Sequence, residues 1–398
     1  MEALRTISDA SRRLTDPLGD EDATTSLHVS DAAVPASIIA FATQGVGHGD
    51  ENRLRDLLER CNARFYPFDR CSKFANVIRL LQRIRRVRAK LVVMEGTGIA
   101  GGVAVLAGRI FLGVPYVVSS GDAVGPFLSA RYPLLAPIFA TYERILCRFC
   151  AGFIGWTPYL AGRALTFGAP RAMTAAGWDD TTSDVAERVA ARRRVRERLG
   201  IAADDIVFGI AGSLDWNPRL NYCYGSELVR AVAQTTRKEV KVLVVGDGSG
   251  REHLERIAAT TGKARVVFTG RVPRANVADY LAAMDVGSLP QSVDGVGSFR
   301  YTIKLSEYLS ASLPIVTGQI PLAYDLDDGW LWRLPGSAPW DERYIAELAR
   351  LMNGLTVDEI RTKGAAVPYG TPLFDREAQV RRVTMFIQDV LECAASRE

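Results

Sequence analysis

Residues Asp294 to Val316 read DGVGSFRYTIKLSEYLSASLPIV. This stretch follows a short apolar run, Val286–Leu289, and Pro290. It places glycines at 295 and 297, opens a helix near Thr302 and ends in a second apolar run, Pro314–Thr317. A strand, a glycine-bearing loop, a helix and another strand form a crossover unit, which joins parallel strands. Within the helix, Lys304 and Glu307 stand three apart on one face. A helix N-terminus with free N–H groups favours a phosphate. A lysine in the first turn adds a compact positive charge, and a carboxylate one turn later can accept from ribose hydroxyls. The same pair also fits an exposed i, i+3 ion pair, worth about 0.2–0.5 kcal/mol, so spacing alone leaves both readings open.

The alternation extends in both directions. Downstream of residue 200, Ile206–Ala211, Val240–Val245, Val266–Thr269 and Trp330–Leu334 read as further strands with helices between them. Upstream, Ile38–Ala42, Leu91–Met94, Tyr116–Ser119 and Phe153–Gly155 do the same. Pro133–Phe149 reads as a helix whose Leu134, Leu135, Ile138, Tyr142, Ile145 and Phe149 share the face expected to pack inward. Between the halves, Asp184–Leu199 is helical and highly charged, with Arg192, Arg193 and Arg194 in a row, as a connector would be. Glu377–Glu392 closes the chain as an amphipathic helix. The expected architecture is α/β, with two Rossmann-like domains facing across a cleft. In such sheets ligands sit beyond the carboxyl ends of the strands, and the glycines cluster there.

Composition narrows the function. The 398 residues carry 49 Lys and Arg against 45 Asp and Glu, net +4, without the dense basic clusters and interleaved aromatics of a nucleic-acid binder. Six cysteines form no disulfide framework, and Cys147-x-x-Cys150 has no second pair to complete a zinc site, so both read as core. A reducing, cytoplasmic setting is the expectation. The most apolar stretch, Gly96 to Gly108, is bounded by Glu95 and Arg109 and is too short to span a bilayer. Residues 1–35 are polar, lack the apolar core of a secretory leader and read as a loose tail.

The stretch from Asp294 through Leu313-Pro314-Ile315-Val316 resembles the D-G … K-L-x-E-Y-L … P-I-V signature of glycosyltransferase family 4, the retaining transferases of GT-B fold. Gly246-Asp247-Gly248, Phe268-Thr269-Gly270-Arg271-Val272, Tyr280 and Met284-Asp285 stand in the family's order. Gly212-Ser213-Leu214 with Arg219 stands where the family has its G-R-L … K-G loop. The resemblance covers residues 205–320 well and the N-terminal half only as a general pattern. It implies a hexosyltransferase-like enzyme that moves a sugar from a nucleoside diphosphate sugar to a hydroxyl acceptor with retention, in polysaccharide or glycoconjugate biosynthesis, with no metal and no cofactor beyond the donor.

The roles carried over are as follows. Glu307 would hold the ribose, and Lys304 and Arg219 would face the diphosphate. The backbone around Arg271 and Val272 would bracket the base, and Gly212, Ser213, Gly246 and Asp247 would line the donor. Asp294 and Gly295 would lie near the transferred sugar. Three positions depart from the pattern: Phe299 replaces the first glutamate of the family's E-x7-E pair, Ser213 its usual arginine, and Arg219-Leu220 its Lys-Gly. A GT-B scaffold that binds without turnover, and a nucleotide-sugar epimerase or hydrolase, share the architecture and stay open.

The N-terminal half offers acceptor-side and diphosphate-side candidates. Gly45, Gly47 and Gly49 follow the first strand and enclose His48, a candidate for a direct catalytic role. Asp122 stands after the third strand, where many family members have a histidine, and Glu95 stands beside Gly96-Thr97-Gly98 at a strand end. His28 and His253 read as solvated. Arg79, Arg83, Arg86 and Lys90, spaced 4, 3 and 4, form a basic stripe on one helix. The stripe is either a solvated face or a contact with membrane lipid or a lipid-linked acceptor. The expected domains are the tail at 1–35, an acceptor domain at 36–185, a donor domain at 186–372, and a C-terminal helix at 373–398 packing back toward the N-terminal domain.

Overall fold

The computed structural model describes residues 38–96, 98–179, 184–260 and 265–396. The tail expected over residues 1–35, with His28, lies outside the described residues, as does Thr97. In chain order the first half runs β1 (Ile38–Ala42), α1 (Gly49–Leu57), β2 (Ala63–Phe65), α2 (Lys73–Val87), β3 (Leu91–Glu95), α3 (Ile99–Leu112), β4 (Tyr116–Ser120), α4 (Val124–Arg131), α5 (Ala136–Phe149), β5 (Gly152–Gly155), α6 (Pro158–Thr166) and β6 (Ala172–Thr174). The second half runs α7 (Val185–Leu199), β7 (Ile206–Ala211), α8 (Ser226–Ala233), β8 (Val240–Val245), α9 (Arg251–Ala259), β9 (Val266–Phe268), α10 (Val277–Ala282), β10 (Val286–Leu289), α11 (Ile303–Ser310), β11 (Ile315–Gly318), α12 (Leu322–Asp325), β12 (Leu331–Leu334), α13 (Glu342–Gly354), α14 (Val357–Ala366) and α15 (Arg376–Ala395).

The strands form two parallel sheets, in the orders β2-β1-β3-β4-β5-β6 and β12-β11-β10-β7-β8-β9. Strands buried on both faces read as continuous apolar runs, and β1, β3 and β4 are buried at every residue. Helices α2, α3, α5 and α6 cover one face of the first sheet, where Leu80, Val105, Leu146 and Leu160 meet Phe41, Met94 and Val118. On the other face, Leu54 and Leu57 of α1 pack with Val383, Ile387 and Val390 of α15 against Ile38, Val93 and Val117. The last helix therefore returns to the first sheet. Each such side chain, fully buried, contributes about 1.5–3 kcal/mol, so these sandwiches fix the frame.

Two sequence expectations change. The first concerns Asp184–Leu199, read as a connector; α7 is instead welded to the second sheet. Its Arg196 is buried, donates to Ala283 O at 2.9 Å and meets Asp285 at 2.6 Å, while Arg192 meets the same carboxylate at 2.5 Å. The second concerns α5, which packs through the opposite side from the one expected. Phe139, Leu146 and Cys147 are buried, and Glu143 is held by Arg163 at 2.7 Å. Leu134, Ile138, Ile145 and Phe149 face solvent. Among the described residues no helix is long and apolar enough to cross a membrane.

Candidate active site

The carboxyl ends of both sheets open on a common cleft of about 610 Å³, within the usual range for a small-molecule site. From the second sheet it is lined by Ala211 and Gly212 at the end of β7, Val245, Gly246 and Asp247 at the end of β8, and Arg271 and Val272 beyond β9. From the first sheet it is lined by Gln44, Glu95 and Gly96, Ser120 to Asp122, and Trp156. The segment Arg300–Lys304 and Glu307 complete the wall.

Glycine is required where β7 and β8 end. Gly246 has φ +136°, and a side chain there would collide with the Gly212 carbonyl. A Cβ on Gly212, itself at φ +150°, would lie 2.8 Å from Lys304 Nζ. The Lys304 ammonium thus rests against bare backbone, 4.1 Å above the centre of the Tyr224 ring. It belongs to the first turn of α11, which has no side-chain cap. Thr302, at the N-cap position, lines the cleft with a buried hydroxyl that has no hydrogen-bond partner. A lysine, an uncapped helix start and an orphan hydroxyl together suit an anionic group.

Glu307 lies one turn on, 13% exposed, with Arg274 Nη1 at 3.7 Å. Burial pushes its carboxyl above the ordinary value and Asp179 adds to that, while Lys304 and Arg274 pull it down. On the opposite wall Glu95 is buried, 3.0 Å from Arg53 Nη1 and 3.2 Å from Trp156 Nε1. The Arg53 guanidinium lies 4.2 Å over the Trp156 ring. Burial carries Glu95 up to about 7 despite Arg53. Asp50 is also raised, mainly by burial, with His48 and Arg53 opposing. Asp122 is paired with Arg300 across the cleft.

Several expected site residues lie elsewhere. Arg219 does not line the cleft; its guanidinium donates to the carbonyl oxygens of Ala130 and Arg131, at 3.4 and 2.9 Å, at the end of α4. His48 is exposed at the N-cap position of α1 and lines no part of the cleft. The Gly47 amide is already taken by the Glu51 carboxylate at 2.6 Å, and Gly45 turns toward Phe68 and Arg70. Asp294 is spent on its own loop, accepting from the amides of Val296 and Gly297, both at 2.8 Å. Gly295 lies beside Pro126, outside the cleft wall. Arg79, Arg83, Arg86 and Lys90 are all exposed on or just after α2.

The sequence reading missed Asp50, Trp156, Tyr224, Arg274 and Arg300. Asp50 stands in the first turn of α1 and the others in loops or short turns outside the named strands and helices, and none has a spacing that marks it for the site. It also missed the role of Phe299, whose ring packs on the core of the first sheet with the Arg163 guanidinium 5.4 Å from its centre. Among the described residues no group of three or more His, Cys, Asp and Glu side chains could hold a metal ion.

The fold is that of the GT-B glycosyltransferases. Residues 205–350 match the family model described as Glycosyl transferases group 1. No curated protein sequence matches the chain. Among solved structures it is similar to HepE of Anabaena in complex with UDP, at 16% identity and a TM-score of 0.63, over 89% of this chain and 100% of that one. It is also similar to WaaG, a glycosyltransferase involved in lipopolysaccharide biosynthesis, at 13% identity and 0.62, over 88% and 99%. Sucrose-phosphate synthase from Thermosynechococcus elongatus aligns at 13% identity and 0.60, over 90% and 100%.

Proposed function

We propose that the chain transfers a sugar from a nucleoside diphosphate sugar to a hydroxyl acceptor, with retention of configuration and without a metal ion, in polysaccharide or glycoconjugate assembly. The observation that carries this reading is the joint placement of Lys304, the uncapped start of α11 and Glu307 on the cleft wall behind Gly212 and Gly246. The Glu307 carboxylate accepts from the ribose hydroxyls. The Lys304 ammonium, the α11 amides and the Thr302 hydroxyl receive the diphosphate. Its charge grows as the glycosidic bond breaks, so these fixed donors favour the transition state over the ground state. HepE was crystallised with UDP-glucose as well as UDP, which makes UDP the first donor fragment to test.

The acceptor enters against the first sheet, where Asp50, Glu95 and Asp122 offer carboxylates to its hydroxyls. The departing diphosphate takes the acceptor proton, so no side chain needs to act as a strong base. No cofactor is consumed.

The two donor residues act at different stages, and their variants separate accordingly. Glu307→Ala removes hydrogen bonds present throughout and raises the donor KM. Lys304→Ala removes charge compensation that matters most late and lowers kcat. A charge-assisted contact is worth roughly 1.5–3 kcal/mol, or about 10- to 150-fold. Calorimetric titration of UDP and steady-state assays with UDP-sugars measure both. Binding and turnover within about twofold of wild type in both variants would remove α11 from the donor site. UDP binding without consumption of UDP-sugars by wild type, over a broad set of acceptors, would make the protein a binding scaffold. Proton NMR of the product tests retention.

A further inference from the structure

We propose that the outer surface of α2, α3 and α5 is a docking face for a bilayer rich in anionic lipid. These helices form one layer over the first sheet. The side of the layer turned away from the sheet is both apolar and cationic. Phe74 is 85% exposed, Phe111 79%, Leu134 97% and Ile138 62%, with Ile110 and Phe149 beside them in the same layer. Phe74, Leu134 and Ile138 stand at or near the helix starts and Ile110, Phe111 and Phe149 at the helix ends, so large apolar groups protrude at both ends of the layer, and a monomeric soluble surface rarely exposes so many on one face.

Charge selects the partner. Between Lys73 and Phe149 the chain carries eleven Lys and Arg and only three acids. All eleven cations are exposed. None of the acids is free on the face: Glu95 and Glu143 are buried in ion pairs, and Asp122 is paired with Arg300 in the cleft. Arg144, Arg148, Phe149 and Phe167 also line a notch of about 380 Å³ at the end of α5, with the Arg144 guanidinium 5.5 Å from the centre of the Phe167 ring. Such a notch accommodates a phosphate headgroup with the start of its acyl chain. Protruding apolar side chains among cations, with no exposed anion, match the boundary of headgroups and acyl chains. An acidic protein partner would instead meet six large apolar side chains with no complement for them.

The helices of this layer begin at the carboxyl end of the first sheet, and α3 starts three residues after Gly96 of the cleft. An acceptor anchored in the bilayer would therefore reach the cleft along the helix starts. The docking face itself does not depend on the donor assignment, because it shares no residue with the donor wall.

Flotation of the full chain with vesicles of equimolar phosphatidylcholine and phosphatidylglycerol tests the proposal, with pure phosphatidylcholine vesicles in parallel. Wild type is expected to bind the anionic vesicles, to bind less as NaCl is raised and to bind phosphatidylcholine only weakly. A cation near such a surface contributes about fivefold to partitioning, so Arg79→Glu with Arg83→Glu and Arg86→Glu lowers it by about 100-fold or more. Ile110→Ser with Phe111→Ser lowers it at least about tenfold and leaves its salt dependence in place. Both variants keep the wild-type melting temperature, because the side chains are exposed, and both keep the wild-type affinity for UDP. Failure of wild type to float with anionic vesicles overturns the proposal, as does equal flotation of wild type and both variants. A dimer in sedimentation velocity that Ile110→Ser with Phe111→Ser dissolves, with no flotation by wild type, would make the face a self-association surface and also overturn it.

Discussion

Phe299 ties the loop before α11 to the opposite sheet, and removing its ring should open the cleft. The ring is largely buried among the core residues of the first sheet and lies 5.4 Å from the Arg163 guanidinium. Its carbonyl accepts from Thr157 Oγ1 at 2.9 Å, and the next residue, Arg300, pairs with Asp122. A partly buried phenylalanine ring holds on the order of 100 Å² away from water, and at about 25 cal/mol per Å² that is about 2–3 kcal/mol. The guanidinium contact adds about 0.5 kcal/mol or more. Phe299→Ala should therefore shift the balance between closed and open cleft by about 30- to 150-fold.

Small-angle X-ray scattering without ligand reads this directly: the variant shows a larger radius of gyration than wild type. The affinity for UDP stays within about twofold, because the donor wall belongs to the second sheet. Turnover falls, because an open cleft admits water and separates donor from acceptor. Phe299→Leu restores most of the lost packing and should recover most of the closure. Superimposable scattering curves for wild type and Phe299→Ala, with equal kcat, would refute the reasoning.

Two further outcomes test the frame. Burial raises Glu95 to about 7 from an ordinary 4.5, so the folded protein keeps a proton that the unfolded chain releases. Stability should then fall as pH rises from about 4.5 to about 7, by at most about 1.4 kcal/mol per pH unit, and level off above; urea melts at stepped pH should show that window flattened in Glu95→Gln, and an unchanged slope would assign it to other groups. Asp285→Ala strands the buried Arg196 guanidinium and removes the acceptor for the Val207 amide at 2.7 Å. It should lower the unfolding free energy by about 3–5 kcal/mol in urea titration, while a loss under 1 kcal/mol would show that water replaces the carboxylate.

The frame was legible wherever a strand is buried on both faces, because burial writes a run of Ile, Val and Leu. Residues Ile38–Ala42, Ile206–Ala211 and Val240–Val245 were readable for that reason. Strands β2 and β6 were missed. They are three-residue edge strands, ARF and AMT, half-buried throughout and without an apolar run. The orientation of α5 was misread because the helix is apolar on two sides. Its period shows that apolar faces exist, and only the sheet beneath decides which one is covered. In the site, Lys304 and Glu307 were readable because one helix turn carries both. The Asp122–Arg300 pair joins residues far apart in sequence, and the direction of Arg219 depends on the carbonyl groups at the end of α4. Neither leaves a local pattern.

The loop before α11 also explains the phenylalanine at position 299, where the resembled family has a glutamate. From Gly297 to Glu307 the chain does two things in succession. Phe299 and Arg300 grip the first sheet, and two residues later Thr302 begins the helix that presents Lys304 and Glu307 to the cleft. So short a connection leaves little slack. A glutamate at 299 would place a carboxylate where the ring now packs against the first-sheet core; the Arg163 guanidinium that would have to compensate it is already held by Glu143. The departure from the family pattern thus follows from the packing. Position 299 packs on the first sheet, while its neighbour Arg300, paired with Asp122, lines the cleft between the sheets.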